Sequence, residues 1–366
     1  MKVLHVLNEL KPSGAEIMLR SAAPLWSGYG VCCDILSTGP TPGPFAPALV
    51  EAGYDVHHLR NSRTPIFLRQ FATLVRSGDY DIVHQHAEGM SFWFGLMSIW
   101  AGASVLRTIH SSFSFDGWLR FRRGLQRRLL NNLGVHFVTI GDSVRNNELK
   151  RFGLESTLIL NWADLTHLEP PSPAEREAAR AEWGFRDEDF VVVSVGNCAT
   201  VKNHGAMLHS LALNSDLGQF RYLHVGMEDT VGSERQLARK LGIEQQVIFT
   251  GWLDDPRLAL YAADVYVMPS LYEGFSIAAV EALSIGLPAI LTEVSGLIDF
   301  RAYFPGLIYA TPDADGLAVA LRTSFSIDSV QRKLIAREYR HTALKYFSPE
   351  RGVAEYCAAY SSLLGR

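Results

Sequence analysis

One pattern constrains this chain more than any other: an alternation of short apolar runs and longer segments of helical periodicity, played through twice. The first set of runs lies at 3–7, 32–36, 54–59, 81–84, 104–109 and 136–140, with helical intervals such as 65–76 between them. Each run has the length of a buried strand, and the intervals have room for crossover helices. Parallel strands need such crossovers, so the pattern predicts a doubly wound parallel sheet. Residues 161–173, with Pro170, Pro171 and Pro173, read as a linker. The alternation then restarts, with runs at 190–195, 220–225, 246–250, 265–268 and 289–291. At 366 residues the chain exceeds one ordinary core. Two α/β domains are therefore expected, 1–165 and 166–345, facing each other across a cleft. Ser348 and Pro349 open a last helix with Val353, Tyr356, Cys357, Tyr360, Leu363 and Leu364 on one face. That helix, within 346–366, is expected to cross back and pack on both domains.

Composition narrows the function classes. Apolar residues are 48% and charged residues 20% of the chain, the balance of a folded globular protein. From Gly89 to Leu106 there is no charge over a length just sufficient for a membrane span. Gly95, Ser98, Gly102 and Ser104 interrupt it, so a buried helix followed by a strand is expected instead. The opening Met1–Leu7 is a strand-like run, too short for a signal peptide. Cys32, Cys33, Cys198 and Cys357 show no metal-ligand spacing, which fits a reduced, cytoplasmic setting. Residues 1–165 hold 16 Lys and Arg against 13 Asp and Glu, whereas the remainder holds 18 against 25. The basic excess centres between Trp118 and Leu130, where Arg120, Arg122, Arg123, Arg127 and Arg128 interleave with Trp118, Phe121 and Leu125. Such a segment suits an anionic acceptor, peripheral contact with the inner membrane face, or simply a solvated helix face. No nucleic-acid partner is expected.

Ligands of open α/β sheets bind beyond the carboxyl ends of the strands, where helix N-termini point. Four features at those ends break local rules. First, Ser276 caps an expected helix over 277–285 that is apolar except for Glu281 and Ser284. A carboxylate there would be costly without a partner and suits the vicinal hydroxyls of a ribose. Glu273, in the loop before it, suits a second set of hydroxyls on a sugar. Gly274 permits a sharp turn, and the helix start at Phe275 and Ser276 offers amides to a phosphate. Second, Lys202 follows the 190–195 run and precedes a helix capped by Asn203. A lysine at a helix N-terminus opposes the dipole unless a diphosphate lies between them. Third, Gly14 opens the first helix and allows close backbone approach to phosphate. The full Gly-x-Gly-x-x-Gly pattern is absent, which argues against a nicotinamide or flavin enzyme. Fourth, His84, His86 and His110 end strands. His84 and His86 share a strand face, but no third ligand appears at sensible spacing, so no metal is expected. Asp79 and Asp81 precede their strand, at the wrong end for a metal.

These residues resemble the family-4 retaining glycosyltransferases, over essentially the whole chain. The most specific element is the Glu-x7-Glu signature, Glu273 to Glu281, within Pro269-Ser270-Leu271-Tyr272-Glu273-Gly274-Phe275. Gly14-Ala15-Glu16, Asn161-Trp162-Ala163-Asp164, Val195-Gly196, Lys202-Asn203, Val225-Gly226 and Gly251-Trp252-Leu253 support it. The resemblance implies the GT-B fold, two Rossmann-like domains, the first for the acceptor and the second for a nucleotide-sugar donor. It implies that Lys202 binds the donor diphosphate with Gly14 beneath it, that Glu281 holds the ribose and that Glu273 holds the sugar. Backbone at Gly251 and Leu253 would meet the base, with Trp252 nearby, and His110 would line the sugar pocket. It also implies retention of anomeric configuration without a metal or other cofactor, by front-side displacement. Asn197 departs from the pattern, because the family often has an arginine there as a second phosphate-binding cation.

The function expected is hexosyl transfer from a nucleotide-diphosphate sugar, UDP by default, to a carbohydrate, lipid-linked or small-molecule acceptor in carbohydrate biosynthesis. Two rivals follow from the same residues. One is a catalytically weak sensor of nucleotide-sugar, suggested by Asn197. The other is a sugar-nucleotide epimerase of the same fold, which would need no acceptor.

Overall fold

The computed structural model describes residues 1–217 and 220–365. Contacts divide the chain into two compact units, Met1–Ala163 with Phe347–Arg366, and Asp164–Tyr346.

The first unit is built on seven strands: β1 (Lys2–Leu7), β2 (Cys32–Ser37), β3 (Asp55–His58), β4 (Ile82–Gln85), β5 (Ser104–Ile109), β6 (His136–Thr139) and β7 (Thr157–Leu158). Their order is β3-β2-β1-β4-β5-β6-β7, and every neighbouring pair is parallel. Helices cover both faces, which is why the strands read as mainly apolar runs rather than alternating ones, with His5, Asp34, His84 and Arg107 buried among the apolar side chains. Leu4, Val6, Leu36, Val83, Phe67, Phe71 and Phe94 form one side of its core. The uncharged stretch becomes the helix Ser91–Ala101 followed by β5, although Trp93 and Trp100 of that helix are exposed. Among the described residues no helix is long and apolar enough to cross a membrane.

Two sequence expectations change here. Residues 161–163 are not linker: Asn161, Trp162 and Ala163 are buried in the first unit. The Trp162 indole donates to Ser21 Oγ at 3.0 Å and lies flat enough against Gly352 that any side chain there would overlap it. A large apolar ring finds more to gain in a core than in a connector. Arg127 is not part of a basic surface either. It lies on the helix Gly117–Asn132, is 1% exposed, and its Nε donates to buried Glu148 at 2.6 Å. Burial pushes the Glu148 carboxyl up, against the pull of Arg127. The final helix, Pro349–Leu363, is capped by Ser348 and belongs to the first unit, burying Val353, Tyr356, Cys357 and Tyr360.

The second unit carries β8 (Phe190–Val195), β9 (Phe220–Val225), β10 (Val247–Phe249), β11 (Val265–Met268), β12 (Ala289–Thr292) and β13 (Ile308–Ala310). The order is β10-β9-β8-β11-β12-β13, again all parallel. Chain order reverses between β8 and β11 here, and between β1 and β4 in the first unit. At such a switch point successive crossovers leave to opposite faces, opening a crevice at the carboxyl edge. The edge strands β7 and β13, two and three residues long, were not visible in the pattern because they are too short to show a period.

Candidate functional site

The switch point of the second unit gathers the residues of interest. Beyond β8 the chain passes Gly196 and Asn197 to a tight turn, Thr200–Lys202. Beyond β11 it passes Pro269 and Ser270 to Glu273. Two ties lock these loops together: Leu271 N donates to Val201 O at 2.8 Å, and Asn203 Nδ2 donates to Pro269 O at 2.9 Å. Asn203 Nδ2 also reaches Pro312 O at 3.0 Å, from the exit of β13. Asn203 occupies the helix N-cap position in the left-handed region, φ 57°, but its side chain makes no cap bond. It is a staple between three loops rather than the cap expected from sequence.

With the loops fixed, Lys202 Nζ lies 2.6 Å from Glu273 Oε1, and Ser270 Oγ donates to the same oxygen at 2.8 Å. Lys202 keeps 28% and Glu273 12% of its side chain exposed, so the pair sits at a surface open to a ligand. Glu273 N is tied to Ser295 O, and Gly296, φ 82°, packs where a Cβ would overlap the Glu273 carbonyl. Gly274 is buried, and Phe275 stacks on Phe300 at 5.2 Å. Ser276 caps the helix Ile277–Ser284 by accepting from Ala279 N at 3.2 Å, and Glu281 lies half-buried within that helix.

Neighbouring strand exits close up by backbone contact. Gly226 N donates to Gly251 O at 2.9 Å, and a side chain at Gly226, φ 149°, would overlap the Gly196 carbonyl. Asn197 Oδ1 accepts from Met227 N at 2.9 Å, so this position ties two loops instead of carrying a cation. Gly251 sits at φ 73°, Trp252 is exposed with its indole N–H on Asp254, and Leu253 is half-buried.

The first unit places Gly14, exposed, at the start of the helix Gly14–Ala22. Beside it Ser13 bonds to Glu16, whose carboxyl is pushed up by burial. A cavity of about 640 Å³ opens there, lined by polar groups including Asn8, Ser13, Thr38, Arg60 and Asn61. A similar cavity of about 690 Å³ lies by Lys2 and Asp55, where β1 and β3 begin, along the helix Pro65–Ser77.

The three sequence-selected histidines come together with a fourth. His5, on β1, pairs in register with His84 on β4. His5 Nδ1 is 3.0 Å from His86 Nε2, and His86 Nδ1 is 2.9 Å from His110 Nε2. His84 is held by hydroxyls on both nitrogens, Tyr360 at 2.6 Å and Thr108 at 2.8 Å. His5, His84 and His86 each offer a nitrogen within 4.8 Å of the others. The third member missing from the sequence reading thus arrives from β1, far from His84 in the chain. A metal would have to break one of the two His84 hydroxyl bonds. Burial lowers His5 to about 3 and His110 to about 4, and holds His84 and His86 well below the ordinary range, so all four are neutral at pH 7.

Comparison with known proteins places these edges in context. The model of glycosyl transferases group 1 matches residues 175–341, and that of glycosyltransferase family 4 matches residues 12–167. EpsD of Bacillus subtilis, assigned by name to the glycosyltransferases, is 28% identical over 309 residues, 81% of this chain and 80% of its own. An Escherichia coli enzyme named as a UDP-Gal:α-D-GlcNAc-diphosphoundecaprenol α-1,3-galactosyltransferase is 26% identical over 265 residues, covering 68% and 67%. Among solved structures, a glycosyltransferase of Rickettsia africae superposes with a TM-score of 0.88 at 18% identity, covering 99% of this chain and 98% of its own. HepE of Anabaena, solved in complex with UDP, superposes at 0.84 with 20% identity, covering 99% and 100%.

Proposed function

Because the chain belongs to the glycosyltransferases of group 1 and family 4, with the GT-B fold, we propose that it is a retaining enzyme that needs no metal. It moves a sugar from a nucleoside-diphosphate donor, with UDP the first choice, to an acceptor hydroxyl. The observation that carries this reading is the Lys202–Glu273 pair at the switch point of the second unit. It sets a cation for a diphosphate directly beside an acceptor group for sugar hydroxyls.

In this reading Lys202 and the amides opening the helix at Gly274, Phe275 and Ser276 take the diphosphate. Glu281 takes the ribose hydroxyls, and backbone at Gly251 and Leu253 takes the base, with Trp252 alongside. Gly14 approaches the phosphates, and His110 serves the transferred sugar. The acceptor oxygen adds to the anomeric carbon on the face from which the phosphate leaves, and its proton passes to the departing phosphate oxygen. Lys202 stabilises the charge that develops there. Asn197 contributes a loop tie and no charge, so leaving-group stabilisation rests more heavily on Lys202 than where an arginine stands.

UDP in the HepE complex and UDP-galactose in the name of the Escherichia coli relative support the choice of base. Thermal unfolding in EDTA tests it. UDP at about a hundred times its dissociation constant should stabilise the chain by about 2.7 kcal/mol. If UDP, GDP, ADP, dTDP and CMP all leave the transition unmoved, the nucleotide-sugar reading is wrong. Binding without turnover would favour the sensor reading instead.

The acceptor we propose is lipid-linked, presented at an anionic membrane surface. The helix Gly117–Asn132 exposes Trp118, Phe121, Leu125 and Leu129 beside Arg120, Arg122 and Arg128. Apolar side chains left in water next to arginines suit the headgroup boundary of anionic lipid. The protein is expected to sediment with vesicles containing phosphatidylglycerol and not with pure phosphatidylcholine. Trp118→Ser with Phe121→Ser should remove most of that binding; retention of binding by this variant would rule the helix out.

A further inference from the structure

Three imidazoles of the first unit, His5 buried and His86 and His110 half-buried, form a directional wire. A neutral imidazole has one N–H and one lone pair. His5, His86 and His110 are joined Nδ1 to Nε2 at 3.0 Å and 2.9 Å, so each link holds one proton and all three rings must point the same way. Only two arrangements exist. In the outward one, His5 Nδ1–H donates to His86 Nε2, and His86 Nδ1–H donates to His110 Nε2. His110 then carries its own proton on Nδ1. In the inward one every proton is reversed, His110 Nδ1 is bare, and His5 Nε2 carries a hydrogen.

The far end of the wire decides between them. His5 Nε2 is buried, on a residue 1% exposed, and has no hydrogen-bond partner. A buried N–H without an acceptor is rarer and more costly than a buried lone pair without a donor. The orphaned nitrogen therefore favours the outward arrangement. His84 does not compete for a link, because Tyr360 and Thr108 occupy both of its nitrogens. Thr108 is in turn 3.0 Å from the Tyr356 hydroxyl, so this neighbouring set closes on itself.

We propose that His5 and His86 are positioning residues that fix His110 as its Nδ1–H tautomer, so that it presents a hydrogen-bond donor to a sugar or phosphate oxygen. This rests on the reading of His110 as part of the transfer site. The depressed pKa values fit, since a wire of neutral rings keeps its direction only while no further proton enters. The device converts a buried, unpaired atom on β1 into the chemical character of a ring beyond β5. In water an isolated imidazole side chain favours the other tautomer, so the arrangement is diagnostic.

Long-range proton–nitrogen NMR of the full chain, labelled with 15N-histidine at pH 7, reads each tautomer directly. The wild type is expected to show His110 protonated on Nδ1, with Nε2 bare. His86→Phe removes the donor, and His110 should revert to a majority of the Nε2–H form with about a tenfold loss of kcat. His86→Gln keeps an amide N–H within reach and should retain the Nδ1–H form and most of the activity. A wild-type His110 protonated on Nε2 would overturn the proposal, and in that case the ring of Trp26, centred 5.9 Å from His5, would be the acceptor for the far end. An unchanged tautomer in His86→Phe would overturn it as well. The spectrum does not depend on turnover. An Nδ1–H His110 in a chain that moves no sugar would leave the tautomer control standing and remove the transferase reading alone.

Discussion

Lys202→Ala is expected to lower kcat by on the order of 10²–10³-fold, the loss seen when one preorganised group facing developing charge is removed. The same variant should lose most of the stabilisation that UDP gives the wild type. Lys202 is held between two partners, one present and one arriving. In the free protein its ammonium rests on Glu273 at 2.6 Å, with Ser270 completing that carboxylate. A diphosphate must compete for the same ammonium. Glu273→Gln therefore separates the two roles. Removing the carboxylate frees Lys202 and leaves UDP binding unweakened or a few-fold tighter, because a partly exposed ion pair is worth only about 1 kcal/mol. Turnover should nevertheless fall sharply, because the hydroxyl contacts of the sugar are lost. Equilibrium binding of UDP beside steady-state rates decides it. If Glu273→Gln weakens UDP as much as Lys202→Ala does, the two residues act as one structural pair and the division of labour is wrong.

The second large effect belongs to stability. Glu148→Ala should destabilise the first unit by about 3–5 kcal/mol, since it leaves a guanidinium buried beside other arginines. Arg127 and Glu148 are 1% and 0% exposed, and Arg127 stacks on Phe152 at 4.4 Å. Glu88 already serves Arg107, Arg123 and Arg127, so it cannot replace the missing carboxylate. Joint replacement, Arg127→Met with Glu148→Leu, should recover most of the loss, because two matched apolar groups need no desolvation of charge. Hydrogen exchange of the β5 and β6 amides under native conditions measures both. A loss below about 1 kcal/mol in the single variant would mean that the pair is solvated in solution.

Much of this was legible in the sequence, for definite reasons. The central strands match the apolar runs closely, β5, β8, β9 and β11 end to end, because a strand covered on both faces is apolar over most of its length. Ser276 and Ser348 cap the expected helices because capping depends only on the next three residues. Asn203 misled for the complementary reason. Its residue type is right for a cap, but two carbonyls from remote loops claimed the side chain. Arg127 misled similarly, since a charge is read as surface until a buried partner such as Glu148 is found.

The sequence by itself determined two doubly wound units and which chain exits carry polar groups, because strand length, period and turn chemistry are local. Only the tertiary structure decided which of those groups meet. Lys202 reaches Glu273 because sheet order places β8 beside β11, and His5 joins His86 because β1 lies beside β4. Strand order depends on how crossovers pack over the whole sheet, a long-range balance that no window of residues contains.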